Sequence, residues 1–241
     1  MALQRMTKRQ YAEHWAKETE NFDQQGIYER LAEITPKERT LEIGCGTGVT
    51  TRYLAEQRCV LAVDNNEYLI EKSASSLKSV GSSAKIIHAD IFELSSESRS
   101  VITGFKPKVI TGWFIGSHPD DQDKWAGSDL PFDQKPKKYR ENIEDIITQD
   151  LGSIESVEWI HLVNRVGIAP EFSDQDIIDG TIAEYDEYVF SSHGFEVVEV
   201  QVINWDTSKS GFMYVNSNNP NYAGGTPLPR FISILAKKKV A

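Results

Sequence analysis

The sequence predicts an α/β fold, a mostly parallel β-sheet covered by helices, and three observations lead there. Short apolar runs alternate with segments whose apolar residues recur at helical spacing, the pattern of strand–helix–strand units. One run, Cys59-Val60-Leu61-Ala62-Val63, is apolar without interruption, as strands buried on both faces are. A glycine cluster at 44–48 joins the first short strand to the helix after it.

The elements follow in order. Residues 7–22, with Tyr11, Trp15 and Phe22 among many charges, predict a helix or a lid segment. Ile27, Tyr28, Leu31 and Ile34 carry helical spacing over 24–34. Thr40-Leu41-Glu42-Ile43 reads as the first strand, and Val49, Tyr53 and Leu54 mark the next helix. The run 59–63 is the second strand and ends in Asp64; 68–77 is a helix. The third strand is 85–89, ending in Asp90, and the fourth is 108–113. A polar stretch gives way to a helix over 139–151, and 157–163 is the fifth strand. Ser173 and Asp176 are spaced as a capping box for a helix over 174–191, which Gly194 is placed to end. Val198, Val200 and Val202 alternate as a strand does, and 231–236 is the last strand. The loop 206–229 lies between them.

Composition narrows the function classes. The 241 residues carry a formal net charge of −10. No apolar run approaches the ~20 residues that span a bilayer, and the first residues lack the apolar core of an export signal. Two cysteines, Cys45 and Cys59, make neither a disulfide framework nor a zinc site by themselves, so the expected setting is the reducing cytoplasm. The acidic balance argues against nucleic acid as a partner, because phosphate attraction dominates that binding. Lys135, Lys137, Lys138 and Arg140 form the one basic cluster and read as solvated surface.

The glycine loop carries most of the information. Glycines let the backbone turn sharply and let a ligand approach the main chain. Asp64 lies 20 residues beyond Gly44, the spacing of a carboxylate that grips ribose hydroxyls. A dinucleotide loop counted from Gly44 needs glycine where Val49 stands, which disfavours a nicotinamide-dependent dehydrogenase. Asp90 ends the third strand, where it would point into the same crevice. As alternatives, Asp64 caps the helix after it and Asp90 is a turn residue.

With Glu42-Ile43-Gly44-Cys45-Gly46-Thr47-Gly48, then Asp64, then Ala89-Asp90-Ile91, the chain resembles the class I S-adenosylmethionine-dependent methyltransferases. The resemblance implies a Rossmann-like three-layer sandwich whose mostly parallel sheet has seven strands, the last antiparallel. It implies a final hairpin of 198–204 with 231–236. The domain would span 24–241, with inserts near 117–152 and 206–229, behind an N-terminal helical lid over 1–23. The implied cofactor is S-adenosylmethionine. Gly44, Gly46 and Gly48 would underlie its methionine and ribose, with Cys45 a small buried filler among them. Glu42 would orient the methionine amino group, Asp64 would hold both ribose hydroxyls, and Asn65 would lie beside the adenine. Asp90 and the Ile91 backbone N–H would bind the adenine edge.

The acceptor side is less regular. After the fourth strand the chain reads Thr111-Gly112-Trp113-Phe114-Ile115-Gly116-Ser117-His118-Pro119-Asp120-Asp121, not the Asn/Asp-Pro-Pro-aromatic signature of amino-methyltransferases. Asn219-Pro220-Asn221-Tyr222 matches it superficially but reads as loop chemistry. His118 is the candidate general base; otherwise it is a loop histidine bonded to backbone. His161 reads as core or sheet surface. Trp113 walls the methyl site or belongs to the core. Tyr11, His14 and Trp15 close over the substrate or pack on the sheet edge. Trp125, Phe132, Tyr139, Phe212, Tyr214 and Tyr222 wall an acceptor pocket or anchor their loops. Asp120, Asp121 and Asn164 do not make a metal site. The expected acceptor is a small molecule or short peptide. A peptide or protein carboxylate, and non-catalytic binding of the cofactor, stand as alternatives.

Overall fold

The computed structural model describes residues 6–78, 81–210 and 226–239. The chain begins with α1 (Lys8–Gln24), capped by a Thr7–Gln10 box, and α2 (Ile27–Ile34). Then come β1 (Thr40–Ile43), α3 (Val49–Ala55), β2 (Val60–Asp64), α4 (Glu67–Leu77) and β3 (Ala84–His88). They are followed by α5 (Ser96–Phe105), β4 (Val109–Trp113), α6 (Pro119–Ala126) and α7 (Lys135–Asp145). The chain ends with β5 (Trp159–Ile168), α8 (Asp174–Tyr185), β6 (Phe195–Asn204) and β7 (Leu228–Lys238).

The seven strands form one sheet in the order β3-β2-β1-β4-β5-β7-β6. β1 through β5 run parallel; β7 is antiparallel to both β5 and β6. Strand order reverses between β1 and β4, and the crevice beyond their carboxyl ends is where open α/β sheets bind ligands. β2 divides its apolar residues between two cores. Leu61 and Val63 face the larger core with Leu41, Ile110, Ile147 and Leu162; Val60 and Ala62 face the other with Phe22, Tyr28 and Leu31. Phe22 anchors α1 in an aromatic cluster, with ring centroids 5.1 Å from Phe114, 5.0 Å from Phe231 and 5.7 Å from Trp205. That anchor holds the C-terminal half of α1 and leaves its first turns above the crevice.

The differences from expectation are local. α5 and α6 were not anticipated: α5 buries only Ile102, and α6 buries only Gln122 and Ala126, so neither has an apolar stripe to read. The helix expected over 139–151 starts at Lys135 and passes into a π turn, Ile146–Asp150. The helix over 174–191 changes in the same way at Asp186, after the expected capping box. Gly194 ends it with φ +78°. β5 and β7 run longer than their apolar runs because they pair with each other as far as Ile168 and Leu228. Lys135 is not solvated surface: it is buried, with Nζ 2.5 Å from Asp123 Oδ1. Among the described residues, no helix is long and apolar enough to cross a membrane.

Candidate active site

A cavity of about 60 Å³ lies beyond the carboxyl ends of β1, β2 and β4. Its cofactor-side wall is built by backbone geometry. Gly44, Gly46 and Gly48 have φ of +77°, +52° and +73°, a region that disfavours residues with a Cβ. Asp64, buried at the end of β2, holds this loop from across the crevice. Its Oδ2 accepts the Gly46 N–H at 2.8 Å and its Oδ1 accepts the Asn66 N–H at 2.8 Å. Burial raises the Asp64 pKa, and the two N–H donors oppose that rise. The helix-cap alternative belongs to its neighbour instead: Asn66 caps α4 through the Tyr68 and Leu69 N–H groups.

Asp90 serves two ends. Its Oδ1 caps a short 3₁₀ turn by accepting the Phe92 N–H at 3.0 Å, and its Oδ2 accepts the Trp125 indole N–H at 3.1 Å. Trp125 stacks on Phe92 with centroids 4.6 Å apart. Asn65, Asp90 and Ile91 line the cavity with Gly44, Gly46 and Asp64.

Glu42, Cys45 and Gly48 do not line it. Glu42 is buried in β1 and accepts the Thr51 hydroxyl of α3 at 2.6 Å; desolvation pushes its pKa up to about 8. Cys45 is a buried member of the Phe22 core, as a filler should be, and burial raises its thiol pKa. Gly48 opens α3, and a Cβ there would stand 2.8 Å from Ser73 Cβ of α4. It is a packing glycine.

The acceptor-side wall comes from separate parts of the chain. Tyr11 and Trp15, four residues apart on α1, both line the cavity. Trp15 covers the glycine loop: a Cβ on Gly46 would lie 2.9 Å from its Nε1. The Arg165 guanidinium sits 5.1 Å from the Trp15 ring centroid. Trp113 lines the cavity from the end of β4 and also packs edge-on to His161 in the core. Phe114 turns the chain there with φ +55°, a rare conformation for a bulky residue. The turn carries Ile115, Gly116 and Ser117 over the cavity.

His118 lines the cavity, but its ring is bonded to backbone on both sides. Nδ1 accepts the Asp120 N–H at 3.2 Å, which caps α6, and Nε2 stands 2.6 Å from the Met6 carbonyl. With Nδ1 accepting, Nε2 carries the proton and donates it to Met6. In this arrangement no ring lone pair is left for an acceptor, which matches the alternative of a loop histidine bonded to backbone. His161 is core: it bridges Thr35 at 2.7 Å and Ser233 at 2.8 Å, and burial lowers its pKa to about 3.

Of the loop aromatics, Tyr139 lines the cavity, Trp125 braces Asp90, and Phe132 is exposed. Phe212, Tyr214, Tyr222 and the 219–222 motif lie outside the described residues. Sequence reasoning passed over Leu69 as a lining residue and reached Ser117 and Ile143 only as parts of the 117–152 insert. Ile143 follows Tyr139 by one helical turn, the signal that could have joined them. No cluster of His, Cys, Asp or Glu among the described residues could hold a metal.

Residues 40–106 match a family model described as a methyltransferase domain. Among solved structures, TYW2 from M. jannaschii in complex with AdoMet is 11% identical; the alignment covers 90% of this chain and 76% of that one, with a TM-score of 0.50. Magnesium protoporphyrin IX methyltransferase from Synechocystis PCC 6803 with bound SAM is 11% identical over 95% and 81% of the chains, with a TM-score of 0.42. No curated protein matches significantly.

Proposed function

We propose, from the match of residues 40–106 to a methyltransferase-domain model, that the chain transfers a methyl group from S-adenosylmethionine directly to a small-molecule or short-peptide acceptor. The observation that carries this reading is the buried Asp64 carboxylate, which closes on the Gly46 N–H and lines the cavity. Each oxygen accepts one backbone N–H and keeps a further lone pair for a ribose hydroxyl. Gly44 and Gly46 offer bare backbone to the methionine part, and a Cβ at Gly46 would run into the Trp15 indole that covers it. Asn65, Asp90 and Ile91 stand where the adenine edge would lie. Glu42 stands behind the wall, so its contact with the amino group would pass through water. The cofactor, when bound, supplies an activated methyl on a sulfonium. The protein's work is alignment and exclusion of water.

Two features favour a small acceptor. No Lys or Arg lines the cavity among the described residues, and the 135–140 cluster is engaged with Asp123, Glu141 and Glu144. A nucleic-acid substrate needs the opposite. The N-terminal segment acts as a lid: small-molecule sites measure about 300–1,000 Å³, so the cavity of about 60 Å³ under Tyr11 and Trp15 must open to admit the cofactor.

Calorimetric titration with S-adenosylmethionine and S-adenosylhomocysteine tests the reading. Micromolar binding of both is expected; binding of neither overturns it. Turnover with candidate acceptors then separates an enzyme from a non-catalytic binder.

A further inference from the structure

We propose that Arg165 and Tyr11 form an anion subsite at the acceptor end of the cavity, and that the methyl acceptor carries a carboxylate by which it is held. The proposal rests on the methyltransferase reading above. Val163 pairs with Trp113, the last residue of β4, and packs in the Phe22 core beneath α1. β5 continues in register with β7 as far as Ile168. Side chains alternate along a strand, so Arg165 leaves β5 on the same face as Val163, beyond the end of β4. That position is level with the turn that carries Gly116. The contacts agree. The part-buried Arg165 guanidinium sits 5.1 Å from the Trp15 ring centroid. One of its terminal nitrogens is 3.2 Å from the point a Cβ on Gly116 would occupy, and the Tyr11 hydroxyl is 3.7 Å from the same point. Gly116 and Tyr11 both line the cavity. Gly116 is not among the left-handed glycines, so space and not backbone conformation calls for glycine there. The missing side chain leaves a window in the wall with the guanidinium behind it.

A guanidinium fork and a phenol that converge on one point suit one carboxylate. The cofactor has a carboxylate of its own, and the wall decides between the two. A Cβ on Gly44 would meet Ile115, and a Cβ on Gly46 would meet Trp15; among the described glycines, Arg165 comes within 4 Å only at Gly116. The cation therefore serves the turn after β4 and not the glycine loop. The carboxylate it holds is a handle: its lone pairs are engaged by the two donors, and the nucleophile lies elsewhere on the acceptor. One cation set behind the wall fits a single charge, whereas a polyphosphate chain needs several. Trp15, Trp113 and Phe114 line the same end and suit an aromatic body. Arg165 belongs to the sheet and Tyr11 to α1, so the subsite is half formed with the lid lifted and complete with it docked.

The test is calorimetry on protein saturated with S-adenosylhomocysteine, titrated with benzoate, phenylacetate and phenylpropionate and with the amide of each. Wild type is expected to bind at least one acid about tenfold or more tightly than its amide, the effect of a charge-assisted hydrogen bond. Arg165→Gln should lose that preference and hold the amides as wild type does. Arg165→Lys, which keeps the charge without the fork, should retain part of it, and Tyr11→Phe should show a smaller loss than Arg165→Gln. If Arg165→Gln does not fold, Gly116→Ala carries the test: its methyl would stand between guanidinium and hydroxyl and should remove the preference. A cation that only steadies Trp15 would, when lost, weaken acid and amide alike. A cation that serves the cofactor would show as weaker S-adenosylhomocysteine binding in Arg165→Gln, with binding of methylthioadenosine, which has no carboxylate, unchanged. Either result overturns the proposal, as does equal binding of acid and amide in every wild-type pair or a preference that survives in Arg165→Gln. A wild type that binds no S-adenosylhomocysteine removes the underlying reading, and the subsite with it.

Discussion

The two ends of the cavity are built by different means. The cofactor end is backbone work: two left-handed glycines, Gly44 and Gly46, and two aspartates whose carboxylates accept main-chain N–H groups. Its parts lie within about fifty residues of one another on adjoining strand ends. The acceptor end is side-chain work, assembled from α1, the turn after β4, and α7. A backbone-built wall is narrow in what it admits and rigid. A side-chain wall changes with each substitution and moves with the helix that carries it. One cavity thus joins a fixed donor platform to an adjustable acceptor chamber.

The largest expected effects concern the buried groups beneath each end, and they have opposite signs. Glu42, under the cofactor end, has its pKa raised from 4.5 to about 8. Folded protein keeps that proton where unfolded chain has lost it, so this group's contribution to stability falls as pH rises from about 4.5 to about 8, at up to about 1.4 kcal/mol per pH unit. Glu42→Gln should therefore gain stability relative to wild type across that window. His161, under the acceptor end, has its pKa lowered from 6.5 to about 3. Unfolded chain takes a proton that folded protein refuses, so stability falls as pH drops from about 6.5 to about 3. His161→Gln should gain relative to wild type in that lower window. Thermal unfolding across pH checks both; variants that track wild type at every pH would show that neither group is held as the structure has it.

Next in size is Asp64→Ala. It removes charge-assisted hydrogen bonds worth roughly 1.5–3 kcal/mol each, so S-adenosylhomocysteine affinity should fall about tenfold or more. The Gly46 and Asn66 N–H groups lose their acceptor as well, and the melting temperature should drop with the affinity. Trp15→Ala should do the reverse at the other end. Lifting the indole from Gly46 should speed cofactor association in stopped-flow fluorescence with only a modest loss of melting temperature, because Phe22 still anchors α1 after its edge contact with Trp15 is gone. Slower association would mean that the indole helps form the site instead of covering it.

The same division explains how much was legible in the sequence. Glycines, strand ends and an aspartate at a fixed spacing are local features, so Gly44, Gly46, Asp64 and Asp90 stand out from the residues themselves, and the family resemblance adds Asn65 and Ile91; all six line the cavity. The seven strands and the antiparallel last one were what the family resemblance implied, and the order of the strands comes from the structure. Ser117, Tyr139 and Leu69 could not be joined, because long-range packing decides which loop residues meet. His118 shows how a residue type misleads. A histidine near a strand end suggests proton transfer, but its two nitrogens were claimed by Asp120 and Met6, one of them on a segment more than a hundred residues away.

His118 also gives the smallest and most discriminating test of the two-ended picture. Its roles in the structure are to cap α6 and to tether the residues before α1. Asparagine is a good N-cap, and alanine is a poor one that costs about 1 kcal/mol. His118→Asn should thus keep α6 capped and lose only the tether to Met6, whereas His118→Ala should also lower the melting temperature by a few degrees. A general base would order the same variants differently: both would lose methyl transfer by about 100-fold or more, since neither side chain can take a proton at neutral pH. Turnover close to wild type in His118→Asn would confine the histidine to the cap and the tether. A collapse of turnover with an unchanged melting temperature would return the histidine to the chemistry.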